Sequence, residues 1–172
     1  MKLLVFLHGT TIMHRTAVGR TREERVRQVR ERDASVRDYA AYVPVGNAVS
    51  KMRAWSAQGA ELVYLSSHKK VENVEKDRAV LKAYQFPDGQ VFFRQPGESY
   101  QDVVRRVQPD VLIEDDCESI GSEREMISPY LDADLRTKIT AVVVKEFAGI
   151  DHLPDDLARL QACPDWRCWP RN

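Results

Sequence analysis

The stretch Asp110-Val-Leu-Ile-Glu-Asp-Asp-Cys-Glu-Ser-Ile-Gly121 decides how the rest of the chain reads. Its apolar run ends abruptly in three consecutive acids, Glu114, Asp115 and Asp116. That is the pattern of a buried strand whose carboxyl end delivers charge to a surface crevice. A carboxylate taken out of water unpaired is costly, so three in a row call for basic partners or a divalent cation. Oxygen ligands at that density suit Mg²⁺. A solvated acidic turn beyond a strand end is the plainer alternative, and the other segments weigh between the two.

Upstream, Leu3 to Leu7 is a continuous apolar run closed by His8-Gly9-Thr10-Thr11, as in a middle strand buried on both faces that ends in a tight turn. Glu61 to Leu65 is a second strand, stopping at Ser66-Ser67-His68-Lys69-Lys70. Val91-Phe92-Phe93 is a short third strand with Arg94 at its carboxyl end, and Ile139 to Val144 is a β-branched fifth. Helices fall between them. Thr21 with Glu24 forms a capping box, followed by Val26, Val29, Val36 and Ala40 near helical spacing. Asn47 caps a helix that turns Val49, Met52 and Trp55 inward and ends at Gly59. Val71, Val74, Leu81 and Tyr84 mark the next helix. Ser99 with Asp102 opens another, which Pro109 ends, and Pro154 opens a last one carrying Leu157 and Leu160. Strands alternating with helices predict an α/β protein: a three-layer parallel sheet of about five strands with right-handed crossovers. Residues 15–43 are more than one crossover needs and read as a short helical insertion in a single domain of 172 residues.

Composition narrows the function classes. With 26 basic and 26 acidic residues the net charge is zero, so no global field draws in nucleic acid or an anionic membrane. No apolar run approaches the ~20 residues needed to span a bilayer, and the start of the chain lacks a cleavage-type small-residue site. Three cysteines make no disulfide framework. The expectation is a cytoplasmic protein with no membrane partner.

In such a sheet the ligand crevice lies beyond the carboxyl ends of the strands. Four ends then converge there: His8 with Gly9, Thr10 and Thr11; Ser66 and Ser67; Arg94; and Glu114, Asp115 and Asp116. Hydroxyl and backbone donors, a cation and an acidic cluster are what a phosphate with Mg²⁺ requires. At these residues the chain resembles the haloacid-dehalogenase-like superfamily, mostly phosphatases and phosphotransferases. Phe6-Leu7-His8-Gly9-Thr10 resembles the family's DxDGT strand end, Tyr64-Leu65-Ser66 its second motif, Arg94 or nearby Lys69 and Lys70 its third, and Ile113-Glu114-Asp115-Asp116 its fourth. The resemblance implies a Rossmann-like fold and a phosphorylated small-molecule ligand. It also implies phosphate held by Gly9, Thr10, Thr11, Ser66, Ser67 and Arg94, with Mg²⁺ on Asp115, Asp116 and Glu114.

The departure matters as much. In the family the first acid attacks phosphorus and binds Mg²⁺ while the second shuttles a proton; Phe6 and His8 occupy those positions here. Phenylalanine can do neither, which excludes a phosphoaspartyl intermediate at that position. His8 remains the candidate catalytic residue, as acid, base or nucleophile. Three functions stay open. The preferred one binds a phosphorylated small molecule without phosphatase turnover. The second is an atypical hydrolase or phosphotransferase working through His8 or a metal-bound water. The third is a nucleic-acid-associated protein using Arg15, Arg20, Arg22, Arg25, Arg27, Arg30 and Arg32; interleaved Glu23, Glu24, Glu31 and Asp33 make a solvated helix face the better reading. The plainer readings are a structural His8, threonines that only close a turn, and an Arg94 that merely reaches water past Phe92 and Phe93. His14 and Arg15 are placed where they could reach over the crevice. Cys117, beside the acids, reads as a small buried residue, and Cys163 and Cys168 with Trp166 and Trp169 as a packed tail rather than a zinc loop.

Overall fold

A computed structural model describes residues 1–162, so the expectations for Cys163, Trp166, Cys168 and Trp169 lie outside the described residues. In chain order the elements are β1 (Lys2–Phe6), β2 (Ile12–His14), α1 (Arg22–Arg30), β3 (Tyr42–Pro44), α2 (Ala48–Ala57), β4 (Glu61–Leu65), α3 (Val71–Ala83), β5 (Gln90–Phe92), α4 (Tyr100–Val107), β6 (Val111–Asp115), α5 (Ala133–Lys138), β7 (Thr140–Val144) and α6 (Leu157–Ala162).

Strands β5-β4-β1-β6-β7 pair in parallel in that order, with Leu3 opposite Leu62 on one side and Val111 on the other. Beyond Lys2 at its start, β1 is apolar throughout and buried, as a middle strand covered on both faces must be. Alternation along the strands sorts the core. Leu3, Val5, Leu62, Tyr64, Val111, Ile113 and Val142 pack with Met52 and Trp55 of α2, Val80 and Leu81 of α3 and Leu160 of α6. Leu4, Phe6, Val63, Leu65 and Leu112 face the opposite layer, where Val103, Val104 and Val107 of α4 and Leu135 of α5 cover them. The result is the three-layer α/β arrangement that the strand and helix alternation implies.

Residues between β2 and β3 form the segment read as an insertion. Those two strands pair antiparallel, His14 opposite Tyr42, and enclose α1 and short 3-10 turns at Arg15–Ala17, Ala34–Arg37 and Tyr39–Ala41. Helix α1 does not run on through Val36 and Ala40. Arg32 takes a left-handed conformation at φ 55, and the Asp33 carboxylate accepts from the Ser35 amide to start a new turn. Met13, Ala17, Val26, Val43, Val45 and Phe147 give this segment its own small core.

Both expected capping boxes form, at Thr21/Glu24 and at Ser99/Asp102. Asn47 differs, since its side chain makes no cap bond; its backbone amide donates to the Asp151 carboxylate instead. Helix α6 begins at Leu157 rather than at Pro154, whose carbonyl accepts from Trp55 Nε1 at 2.9 Å. No described helix is long and apolar enough to cross a membrane.

Candidate ligand and metal site at the strand tips

Directly after β1 the chain folds back on itself. Leu7 O accepts from the amides of Thr11 and Ile12, both at 2.9 Å, with Gly9 in the left-handed region at φ +81. The turn lies against the tip of β6. Thr10 Oγ1 donates to Asp115 Oδ2 at 2.7 Å, and the Cys117 amide donates to Asp115 Oδ1 at 2.9 Å. Thr11 Oγ1 donates back to Phe6 O and Leu7 O. Thr10 and Thr11 are therefore fully buried with their hydroxyls engaged inside the chain. Burial pushes the Asp115 carboxyl up to about 6 against the opposing pull of those two hydrogen bonds.

The three acids of the opening stretch sit together in sequence and diverge in space. Glu114 faces the other layer and accepts from the Ile127 and Ser128 amides at 2.7 Å each. Asp115 turns to Thr10, while Asp116 accepts from the Glu146 amide at 3.0 Å and pairs with Lys145 at 2.8 Å. Consecutive strand residues point to opposite faces, so Glu114 and Asp115 turn to opposite layers. Mg²⁺ requires near-octahedral oxygen ligands at ~2.0–2.1 Å. As placed, Glu114, Asp115 and Asp116 do not offer that ion a common set of oxygens.

Glu146, just beyond β7, is a neighbour the sequence did not single out. It accepts from the Ser119 amide and hydroxyl at 2.6 Å each, and burial pushes it up to about 7. A Cβ at Gly9 would lie 3.0 Å from Glu146 Cγ and 2.9 Å from Asp115 Oδ2. The only signal in the sequence was a lone acid shortly after an apolar strand.

Helix α1 folds its arginines onto this acidic end. Arg22 pairs with Glu118 and lies 3.9 Å from Asp116, Arg30 donates to Glu118 O at 3.0 Å, and Arg25 donates to Phe147 O at 3.0 Å. His14 does not reach over the crevice. It is buried against Gln28 Oε1 at 3.1 Å, and burial lowers its pKa.

At the tips of β1 and β4 a different cluster assembles. Ser66 is fully buried; its hydroxyl donates to Asp77 Oδ2 at 2.6 Å and accepts from the His68 amide at 3.0 Å. His8 places Nε2 3.1 Å from Asp77 Oδ1 and Nδ1 2.9 Å from Ser67 Oγ. His68 Nε2 lies 3.8 Å from the same Asp77 Oδ1, is buried, and has no hydrogen-bond partner. Burial would raise the Asp77 carboxyl, but His8, Ser66 and His68 outweigh it and hold it below the usual range. Burial and the nearby His8 push His68 down to about 4, so its ring is neutral. Asp77 was missed as an ordinary charge of a polar helix. Yet it follows Val74 by three and precedes Leu81 by four, on the buried stripe of α3, where an acid needs a reason.

At the carboxyl end of β1, Phe6 stands in an aromatic stack. Phe6 packs edge-on to Tyr100 at 5.5 Å, and the Arg94 guanidinium lies 3.8 Å over the Tyr100 ring. Arg94 Nε is buried without a hydrogen-bond partner. Burial pushes the Tyr100 phenol up to about 12, so it stays neutral.

No protein-family model matches the chain, and no curated protein matches it by sequence. Among solved structures it is similar to a class C acid phosphatase from Bacillus anthracis with tungstate bound, at a TM-score of 0.50 and 10% identity over 86% of this chain and 68% of that one. A HAD family hydrolase from Deinococcus radiodurans R1, with bound phosphate and sodium, is matched at a TM-score of 0.43 and 11% identity over 86% of this chain and 91% of that one. The first of these, together with the β5-β4-β1-β6-β7 parallel sheet covered on both faces, shows that the chain has a Rossmann-like α/β fold.

Proposed function

We propose that the chain binds a phosphorylated small molecule beyond the strand tips and does not turn it over through a carboxylate nucleophile. One observation carries this reading: at the head of β1 stands Phe6 under Tyr100, and above them Arg94 keeps a buried Nε with no partner. A guanidinium recognises phosphate oxygens by charge and planar geometry, whereas a phenyl ring cannot attack phosphorus. The tungstate in the similar acid phosphatase is an oxyanion of the same shape as phosphate and supports that ligand class. Since the Thr10, Thr11 and Ser66 hydroxyls are engaged within the chain and the Ser67 hydroxyl lies on His8 Nδ1, Arg94 is the open donor, and Gly9, Thr10, Thr11, Ser66 and Ser67 shape the tips. No step runs through Mg²⁺, because the acids that would hold it diverge.

Calorimetric titration of inorganic phosphate and tungstate tests this. Both should bind, with affinity reduced at least ~10-fold in Arg94→Ala, the loss of one charge-assisted contact. Unchanged affinity in that variant, or binding of neither anion, would remove the reading.

A second reading is favoured by the line Ser67 Oγ, His8, Asp77, in which a buried carboxylate orients an imidazole that contacts a hydroxyl. It makes the chain a hydrolase dependent on His8. Ester turnover abolished by both His8→Ala and Ser67→Ala would favour it over the first.

A further inference from the structure

The geometry assigns the molecule a second binding centre: we propose that His8, His68 and Asp77 form a three-ligand site for a divalent transition metal of the zinc class. The anion reading does not support it and is not required by it. Among the described residues this is the one place where three His, Cys, Asp or Glu ligand atoms come within 4.8 Å of one another.

Distances decide whether an ion fits. Zinc bonds of ~2.0–2.2 Å in a tetrahedron put neighbouring ligand atoms about 3.3–3.5 Å apart. Asp77 Oδ1 is 3.1 Å from His8 Nε2 and 3.8 Å from His68 Nε2, which brackets that spacing. Shifts of a few tenths of an ångström about the ideal edge would seat the ion.

His68 supplies an independent observation. Its Nε2 is buried with no partner, and its ring is held between His8 at 4.5 Å and Tyr39 at 4.2 Å. A buried polar nitrogen left unsatisfied costs stability, and a metal bond answers that need. The outer contacts point the same way. Ser66 Oγ occupies Asp77 Oδ2 and so leaves Oδ1 to the two imidazoles, while Ser67 Oγ lies on His8 Nδ1 and so leaves Nε2 for the ion. Ligating histidines are usually held through their other ring nitrogen in this way. On metal binding the His8 proton moves from Nε2 to Nδ1, and the Ser67 hydroxyl changes from donor to acceptor.

The donor set selects the metal. Two imidazole nitrogens and one carboxylate suit zinc and its first-row neighbours and are foreign to Mg²⁺ or Ca²⁺, which take oxygen. Three protein ligands leave a coordination position for water or a ligand oxygen. Because the ligands come from the tips of β1 and β4 and from α3, the sheet and its covering helix hold the site in place before any ion arrives.

The test uses the full chain, stripped by chelation and titrated with Zn²⁺ by calorimetry and with Co²⁺ by visible absorption. A Cys163→Ser/Cys168→Ser background removes the thiols nearest the end of the chain. One equivalent should bind, without a thiolate charge-transfer band, and affinity should fall at least tenfold in His68→Ala. That variant should keep its fold, since His68 Nε2 makes no hydrogen bond to lose, and circular dichroism checks this. His8→Ala should weaken binding likewise, whereas Arg94→Ala should leave the titration unchanged, which separates this site from the anion site. No stoichiometric binding, binding that survives both histidine variants, or binding lost with the two cysteines would each overturn the proposal.

Discussion

Gly9 shows how tightly the first strand tip is built. Its φ of +81 is disfavoured for any residue with a Cβ, and that Cβ would lie 2.9 Å from a carboxylate oxygen of buried Asp115. Gly9→Ala should therefore cost ~2 kcal/mol or more, read as a fall of ~4–8 °C in Tm. An unchanged melting temperature would mean that the turn relaxes freely. Glu146 offers a pH prediction. Burial, aided by Asp115 and opposed by Ser119, raises its folded pKa from 4.5 to about 7. The folded chain keeps this proton where the unfolded chain has lost it. Its contribution to stability is complete below the unfolded value and is lost as pH rises through the folded one. Glu146→Gln should flatten the decline in urea midpoint between about pH 5 and pH 8; a slope equal to the wild type's would place the titration elsewhere. Residue identities alone made the Gly9 turn legible. They did not reveal Asp77, because a charge in a polar helix looks exposed until its neighbours Val74 and Leu81 are read as one stripe.

Among the elements, α1 is the one whose sequence is least like its role. Its many arginines suggest an outward basic face, but Arg22, Arg25 and Arg30 reach Glu118, Asp116 and Phe147 across the molecule. Arg22→Ala should lower stability by only ~1 kcal/mol, as for a partly exposed ion pair. Hydrogen exchange should nevertheless rise in α1 and around residues 116–121 while the sheet amides stay protected. Equal exchange in α1 would mean that its own small core, and not the clamp, holds it. The strands and both capping boxes were legible because they are written in local patterns of apolar runs and Ser/Thr-x-x-acid spacing. The early end of α1 was not, since it depends on the left-handed Arg32 and the Asp33 turn, which valine spacing does not encode. Asn47 failed as a side-chain cap for a non-local reason: its amide is taken by Asp151, over one hundred residues away.

Across the whole molecule, the middle place of the first strand could be read from its continuous apolar run, and the tips of β1 and β6 do meet, through Thr10 and Asp115. The three acids expected to hold magnesium diverge at the next level of detail. Three acids adjacent in sequence are spread by strand alternation onto both layers, so adjacency along the chain is not adjacency around an ion. What the strand tips hold instead is an aromatic stack with a cation at one place and a His-His-Asp cluster at another. The most direct measurement is phosphorus NMR of the protein with p-nitrophenyl phosphate and Mg²⁺, followed over hours. Binding without carboxylate attack predicts an ester resonance that shifts or broadens with protein while its integral stays constant, and that recovers its free position in Arg94→Ala. A growing inorganic phosphate resonance, or an ester signal indifferent to the protein, would contradict the account.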